Sequence, residues 1–473
     1  MHDDSLRRHS QRHAGDRIRV TDNDTGASAA IPSTSRELIA YEDAPLGIFH
    51  LRVAVASIGG VFTDGYGLGI IGISLNLATP QLALTPLWLG LLGGASLAGL
   101  FLGALIAGAA ADQFGRRPIF AYNMGLLAAF SLLQYEVGSG TQLLALRLVI
   151  GFILGTDYAV SKSLLAEFTP RAYRGRMLSL LSVAWAGGYT SAYFAAFELL
   201  SLGPEAWRWM LLSSAAPCLL ILPFRITMPE SPLWLADHGH ADRAAEVVRQ
   251  TVGSSVTPPP LSSPIARRQG RWRQLFSKTW RRRTFVACTF FTCQVIPYFA
   301  IGTFVARVLA ALNVQGGYAG GRIYNVSLLV GAVLGIVVVD KISRRSFLIG
   351  SFILSASAML ILCVWTSIPS IAIVLLFAIF AGVISAASNL VYVYLPELFP
   401  TDLRASGIGL AIAASRFGSA ISTFLLPIVV AHFGARSALS ACVLVLALAA
   451  IVCQRWAPET RNTLLGTLNP QSD

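Results

Sequence analysis

Apolar residues along the chain fall into twelve long runs, which polar stretches separate. The runs cover approximately residues 49–75, 87–111, 117–137, 141–168, 175–200, 207–228, 283–308, 320–340, 345–366, 369–395, 402–430 and 435–457. Each is close to the length of about 20 apolar residues that a membrane-spanning helix needs. We predict helices, because a backbone in lipid must satisfy its own hydrogen bonds, and we find no period-two alternation of a β-barrel. The pattern therefore predicts an all-α integral membrane protein with twelve transmembrane helices.

Composition supports a membrane protein and excludes several soluble classes. The chain has 473 residues, of which 54% are hydrophobic and 13% are charged, whereas soluble proteins have roughly 25% charged residues. The formal net charge of +12 would suit a nucleic-acid binder, but the basic residues lie between the apolar runs. The six cysteines show no metal-ligand spacing, so we expect no disulfide framework and no metal site. We likewise expect no nucleic-acid partner.

The distribution of basic residues predicts the orientation in the membrane. If both termini are cytoplasmic, 29 of the 36 Lys and Arg residues lie on the cytoplasmic side, and eleven of them, Arg225 included, are assigned to the central loop. About four lie in outer connections. Membrane proteins show this excess of Lys and Arg on the cytoplasmic side. We therefore predict a multi-pass protein of the bacterial inner membrane with both termini inside.

The same pattern divides the chain into five parts. Residues 1–46 are polar, lack the apolar core of a signal peptide and are predicted to form a disordered cytoplasmic tail. Residues 47–228 and 283–457 are predicted to form two six-helix bundles. Residues 229–282 form a cytoplasmic central loop, with short surface helices possible, and residues 458–473 form a C-terminal tail.

The two halves share polar landmarks, which predicts an internal duplication. The recurring positions, at offsets of 228 to 230 residues, are Asp112 with Asp340, Arg116-Arg117 with Arg344-Arg345, Glu167 with Glu397, Arg174 with Arg404, and Glu230 with Glu459. Both copies fall on the same predicted side, so the repeat is parallel. Transporters built from such repeats bind their substrate near the bilayer midplane between the halves, whose rocking alternates access.

These landmarks resemble the signatures of the major facilitator superfamily. Residues 111–117, Ala-Asp-Gln-Phe-Gly-Arg-Arg, resemble its loop 2–3 motif, and Pro229-Glu230-Ser231-Pro232-Leu233-Trp234 resembles its sugar-porter branch. Pro396-Glu397-Leu398-Phe399-Pro400-Thr401 fits the same branch. The resemblance covers about residues 45–462. It implies two pseudo-symmetric six-helix bundles, a small-molecule substrate and a monomer in the lipid bilayer.

Two segments depart from the sugar porters. Thr63-Asp64-Gly65-Tyr66-Gly67 resembles the T-D-x-Y-D pattern of phosphate–proton and organic-acid symporters, with Gly67 in place of the second acid. Gly155-Thr156-Asp157-Tyr158 resembles the G-x-D-Y segment of the phosphate–proton group. Where sugar porters have a Trp in helix 10, this chain has Tyr392. The resemblance thus implies a small organic anion or another metabolite rather than a hexose.

Asp64 and Asp157 are the predicted proton-coupling residues. Each falls near the middle of a predicted span, where an ionisable side chain costs about 2.5–3.5 kcal/mol or more. Such a group should face a cavity or a partner, and burial can bring a carboxylate's protonation into the physiological range. The alternative role is a static ion pair between helices.

Three basic residues within spans are predicted to contact substrate. Lys162 can pair with Asp64 or bind a substrate carboxylate. Arg147 lies where sugar porters have an Arg beside the helix-1 acid, and with Gly67 in that acid's place it can turn to Asp64 or to an anion. Arg416 lies where phosphate symporters have a Lys, and a guanidinium can hold an oxyanion bidentately. A structural contact is the alternative for each.

The resemblance implies roles for two further sets of residues. Helices 7 and 10 line the C-terminal half of the cavity in this family, so their polar residues are candidate ligands or interhelical hydrogen-bonding groups; these are Gln294, Tyr298, Asn389 and Tyr392. A cytoplasmic salt-bridge network would hold the inner gate shut in the outward-facing state, or only anchor topology. Its predicted members are Asp112, Gly115, Arg116, Arg117, Glu167, Arg174, Arg176, Glu230, Asp340, Arg344, Arg345, Glu397 and Arg404.

The leading functional hypothesis is a secondary active transporter. It would move a small metabolite across the membrane by alternating access, as a proton symporter driven by the proton gradient and without a cofactor. The alternatives are an exporter or uniporter of the same fold, or a phosphate–proton symporter. A membrane enzyme, sensor or receptor is a remote alternative, because we find no nucleophile–base set, metal cluster or nucleotide-binding loop.

Overall fold

A computed structural model gives the architecture of the chain. It describes residues 39–258 and 271–460, without the side chains at positions 109, 271, 272, 340, 401, 402 and 405. The predicted tail at 1–38, the loop residues 259–270 and the C-terminal residues 461–473 lie outside the described residues.

The described residues form twelve long helical segments, α1 to α12. Their bounds are α1 Ile48–Gln81, α2 Pro86–Phe114, α3 Arg116–Leu133, α4 Gly140–Phe168, α5 Arg171–Leu199, α6 Ala206–Ile226, α7 Arg281–Ala311, α8 Gly317–Lys341, α9 Arg344–Val364, α10 Ser370–Ala387 with Leu390–Glu397, α11 Thr401–Phe433 and α12 Ala435–Trp456. Helix α1 comprises Ile48–Gly69 and Ile71–Gln81, and α6 comprises Ala206–Ser213 and Ala215–Ile226.

The predicted membrane helices are confirmed. Ten segments in the described residues are long and apolar enough to cross a membrane by length and composition alone. The other two, α3 and α5, have 18 and 29 residues and coincide with the predicted third and fifth spans. Local signals set several helix starts: the Thr85 side chain accepts a hydrogen bond from the Trp88 N–H, and Pro86 occupies the first turn of α2.

Helices of the two halves pack in equivalent pairs, as a duplicated fold requires. Within the first half α1 packs on α5, α2 on α4 and α3 on α6; within the second, α7 packs on α11, α8 on α10 and α9 on α12. Small residues allow the close approach. At the α2–α4 contact, Gly99 and Gly151 lie against the backbone carbonyls of Leu148 and Ser96.

The two halves meet mainly through α2 with α11 and α5 with α8. Several hydrogen bonds across them lie at the end of the bundle that carries the 82–85 and 312–316 connections, here called the far end. The Thr190 hydroxyl donates to the Asn325 carbonyl at 2.9 Å. The Arg307 guanidinium donates to Asn76 Oδ1 at 3.2 Å and to Thr79 Oγ1 at 3.3 Å. The halves are therefore fastened together at the far end.

The opposite end, here called the motif end, carries the duplicated landmarks and the segment between the halves. In that segment the helices Pro232–Asp237 and Ala241–Thr251 precede a short strand, Val256–Thr257. This strand pairs in parallel with Ile39–Ala40, and Tyr41 and Ala44 are buried against Val248 and Val256. Residues 39–46 thus depart from the predicted disordered tail, because apolar side chains at 41 and 44 gain a buried contact.

Candidate transport site

A cavity of about 70 Å³ lies between the two halves at mid-height. Its walls come from α4 and α5 on one side and from α7, α10 and α11 on the other. The lining residues are Tyr158, Ser182, Trp185, Ala186, Phe291, Val295, Tyr298, Phe299, Ser385, Ser388, Val391, Tyr392 and Arg416. Sequence reasoning predicted Tyr298, Tyr392 and Arg416 among them. It missed the α5 residues, because small, hydroxyl and aromatic side chains alternate along this helix and no charged residue in its middle marks the inward face.

Two cations approach this cavity from opposite halves. The Lys162 ammonium lies 3.3 Å from the centroid of the Tyr158 ring and 4.9 Å from that of Tyr392. The Arg416 guanidinium lies 4.9 Å from the Tyr158 ring and 5.7 Å from the Phe299 ring. Neither cation has a carboxylate within 4.0 Å in the described part of the chain. The structure thus brings together two of the three predicted basic residues, with aromatic faces as their neighbours.

Asp157 forms a buried ion pair with Arg225 of α6. Both side chains are fully buried, and the guanidinium contacts the carboxylate with two nitrogens. Ser161 Oγ donates to Asp157 Oδ2 at 2.9 Å, and Arg225 Nε donates to the Ala56 carbonyl at 3.1 Å. Such complete hydrogen bonding is what a buried ion pair needs to offset desolvation. Of the two predicted roles of Asp157, the geometry matches the static ion pair.

Arg225 is the residue that sequence reasoning misplaced. It was assigned to the basic residues of the central loop, yet it lies in α6 with no exposed surface. It falls within the predicted span 207–228, but no intramembrane role was predicted for it. Gly60 of α1 makes room for it, since a Cβ at that position would lie 1.4 Å from Arg225 Nη2.

Asp64 has a different environment from Asp157. Its side chain is 1% exposed, and neither carboxylate oxygen has a hydrogen-bond partner among the described residues. It lies one helical turn after Gly60, on the α1 face that meets the ion pair. Its charged neighbours are Asp157 and Arg225 first, and then Lys162 and Arg416. Asp64 is therefore a buried acid without a fixed partner, close to the two cations of the cavity.

Arg147 is buried against α1. Its Nη2 donates to the Gly67 carbonyl at 3.0 Å, and its Nε has no partner among the described residues. The predicted turn toward Asp64 is not what the structure shows. Gly67 has no side chain, so the guanidinium reaches the backbone of α1 at this position. The resemblance to sugar porters implied an acid there in those proteins.

Gln294 and Asn389 are buried and use their amide groups to join helices. Gln294 Nε2 donates to the Ile384 carbonyl at 3.2 Å and to Ser388 Oγ at 3.0 Å. Asn389 Nδ2 donates to the Ala332 carbonyl at 3.1 Å. Both side chains were predicted as ligands or as interhelical groups, and these bonds match the second role.

At the motif end, the first-half landmarks form one hydrogen-bonded cluster. Arg116 Nε lies 2.7 Å from Glu167 Oε1 and its Nη2 lies 3.9 Å from Asp112. Glu230 accepts from the backbone N–H groups of Arg116 and Arg117 at 3.0–3.2 Å. A carboxylate here satisfies donors at the N-terminus of α3, where the helix dipole also favours it.

The second half repeats this cluster. Glu459 accepts from the backbone N–H groups of Arg344 and Arg345 at 3.1 and 3.2 Å, as Glu230 does in the first half. Glu397 lies 3.8 Å from Arg344 Nε. These hydrogen bonds and ion pairs each join residues of one half.

The other predicted gate residues do not form the ion pairs described above. Arg174 and Arg404 donate to the backbone carbonyls of Thr169 and Pro396 at 3.3 and 3.2 Å. Gly115 has φ +92° and precedes α3. Arg176 is exposed, and the Asp340 side chain lies outside the described residues.

Tyr41 links the segment before α1 to the motif end. Burial raises the pKa of its hydroxyl above the ordinary value, and the nearby Glu167 carboxylate raises this pKa further. A buried tyrosine beside a carboxylate therefore stays neutral. The turn at 41–43 packs against α5, beside the first-half cluster.

Comparisons with known proteins agree with this architecture. The family model described as "Sugar (and other) transporter" matches residues 53–470. The chain belongs to this transporter family. The inner membrane metabolite transport protein YgcS of Escherichia coli is 40% identical over 424 residues, which cover 89% of this chain and 94% of that protein. A second relative from Escherichia coli, YaaU, is 33% identical over 428 residues, which cover 90% of this chain and 96% of that protein.

A solved structure shows the same fold. The partially occluded inward-open conformation of the xylose transporter XylE from Escherichia coli superimposes with a TM-score of 0.75 at 19% identity, covering 88% of this chain and 100% of that one. The chain is thus a multi-pass transporter of the major facilitator superfamily with the twelve-helix fold, and not an enzyme. In this transporter the mid-height cavity occupies the place expected for a substrate between two halves.

Proposed function

We propose that this transporter is a proton-coupled symporter of a small organic anion. The observation that carries the proposal is the charge pattern around the cavity. Lys162 and Arg416 approach it from the two halves without a carboxylate within 4.0 Å, while Asp64 is buried without a hydrogen-bond donor. Two cations in an apolar site favour an anionic ligand, because an uncompensated buried charge is costly.

Asp64 is the proposed proton carrier. A carboxylate that has no donors in an apolar interior is costly to keep charged, and binding a proton removes that cost. Asp157 is a poorer candidate, because its charge is already offset by Arg225 and hydrogen-bonded to Ser161. Symport then follows if substrate and proton enter together and neutralise the cations and the acid in one step, after which the halves can rock.

The far-end contacts suggest which state the structure represents. The basic residues favour a cytoplasmic motif end, and the hydrogen bonds between halves lie at the far end. On that orientation the transporter is inward-facing. Glu167 with Arg116, and Glu397 with Arg344, would exchange partners across the halves when the inner gate closes, which biases an equilibrium of a few kcal/mol.

The test uses purified full-length protein in liposomes that contain a pH-sensitive dye. Benzoate, lactate, inorganic phosphate and xylose are each added outside at equal pH on both sides, and liposomes without protein measure passive leak. We expect at least one organic anion to acidify the lumen faster than the leak, and xylose to cause no change. Proton movement with xylose alone, or no acidification above the leak with any of the organic anions, would contradict the proposal.

A further inference from the structure

The walls of the cavity are flat and aromatic. Trp185 of α5 faces Tyr298 and Phe299 of α7 across the two halves, with ring centroids 5.8 and 5.6 Å apart. The Tyr189 ring stacks on the Trp185 ring, with the two centroids 5.2 Å apart and the ring planes nearly parallel. Aromatic faces of this kind pair favourably with a planar ring in offset or edge contacts.

The aromatic wall is continuous with the cations. The Arg416 guanidinium lies 5.7 Å from the Phe299 ring and 4.9 Å from the Tyr158 ring, and the Lys162 ammonium lies 3.3 Å from the centroid of the same Tyr158 ring. Arg416 is 6% exposed, and its Nε has no partner in the described part of the chain. A ligand with its charge at Arg416 would therefore place the rest of its body against the aromatic rings.

The amide nitrogens nearest the cavity are already engaged. Those of Gln294 and Asn389, which could have held sugar hydroxyls, donate to the carbonyls of Ile384 and Ala332. The hydroxyls of the lining are those of Ser182, Ser385, Ser388, Tyr158, Tyr298 and Tyr392. The other lining side chains are mostly apolar or aromatic, which favours a ligand with an apolar ring over one with a hydroxyl on each carbon.

We propose that the substrate class of this transporter is a small planar aromatic monocarboxylate. Its carboxylate would lie between Arg416 and Lys162, and its ring would lie against Trp185 and Phe299. The carboxylate would also offset the repulsion between two cations on opposite halves, so that its binding favours closure of the cavity. This inference rests on the proposed transport of an organic anion and names the chemical class.

The test compares ligands that differ in one property. Binding of benzoate, cyclohexanecarboxylate, benzamide and xylose to the purified full-length protein is measured by titration calorimetry at one pH. Benzoate and cyclohexanecarboxylate share the charge and differ in the flat ring, whereas benzamide keeps the ring without the charge. We expect benzoate to bind at least fivefold more tightly than cyclohexanecarboxylate, with benzamide and xylose at least tenfold weaker than benzoate.

Variants assign this preference to residues. Trp185→Leu should reduce the benzoate preference to less than twofold, Trp185→Phe should keep it, and Trp209→Leu, on an exposed face of α6, is the matched control. Arg416→Gln should weaken both carboxylates at least tenfold and leave their ratio unchanged. Gel filtration shows whether each variant remains folded.

Several results would overturn the inference. These are equal affinity for the two carboxylates, a preference unchanged in Trp185→Leu, tighter binding of xylose, or no binding of any compound. If aliphatic and aromatic carboxylates bind equally and both drive proton uptake, the symport proposal stands while this inference fails. If benzoate binds as expected but moves no protons, the substrate class stands and the coupling fails.

Discussion

Removing Arg225 should destabilise the protein through the carboxylate it leaves behind. The Asp157–Arg225 pair has no exposed surface, and Arg225 also bonds to the Ala56 carbonyl and to Ser161. In Arg225→Met a side chain of similar length fills the space, but Asp157 becomes a buried acid without its counter-charge. Breaking a buried pair in this way costs about 3–5 kcal/mol.

The double variant separates the charge effect from lost packing. In Asp157→Asn with Arg225→Met no charge remains, and the asparagine can still accept from Ser161. Replacing both partners of a buried pair is often close to neutral. We therefore expect the double variant to recover most of the loss, with about 1 kcal/mol remaining for the bond to Ala56.

Thermal unfolding in detergent measures the effect, with a thiol-reactive dye that reports exposure of the four buried cysteines at 218, 293, 442 and 453. The control is Arg249→Met, which breaks an exposed pair with Glu246 and should cost no more than about 1 kcal/mol. A double variant as unstable as Arg225→Met, or an Arg225→Met protein as stable as the wild type, would refute the reasoning.

Two glycine substitutions test contacts around the same helices. Gly60→Ala should lower the unfolding temperature, because its Cβ would meet the Arg225 guanidinium, whereas Gly67→Ala should be tolerated, since the nearest atom would be 3.8 Å away; equal midpoints in thermal unfolding would contradict this. Gly115→Ala should destabilise the protein, because φ is +92° and a Cβ would lie 2.3 Å from Glu230 Oε2; an unchanged midpoint and unchanged expression would show that this cap is dispensable.

Hydropathy predicted the helices well because the membrane imposes length and apolar composition on every span. The predicted bounds agree with α2, α4 and α12 to within a few residues. The duplicated landmarks also predicted the motif-end clusters, since opposite charges at fixed offsets fall at equivalent helix ends. Glu167 with Arg116 and Glu397 with Arg344 are the observed pairs.

The partners of buried charges could not be predicted in the same way. Which acid meets which base depends on helix rotation, and an apolar run does not fix rotation. For Asp157 the sequence predicted either proton coupling or an ion pair without naming its partner, and the observed partner is Arg225. The place of Trp185 in the cavity wall could not be predicted for the same reason, because nothing in the α5 sequence distinguishes its inward face.

The most direct test of the account is solute accumulation by Asp64→Asn. Proteoliposomes are given an inward proton gradient, and accumulation of labelled benzoate is compared with exchange of labelled for unlabelled benzoate at equal pH. We expect Asp64→Asn to lose accumulation above the leak while it retains exchange, because the neutral amide permits binding but carries no proton. Accumulation at the wild-type level in Asp64→Asn would contradict the assignment of the proton to this acid.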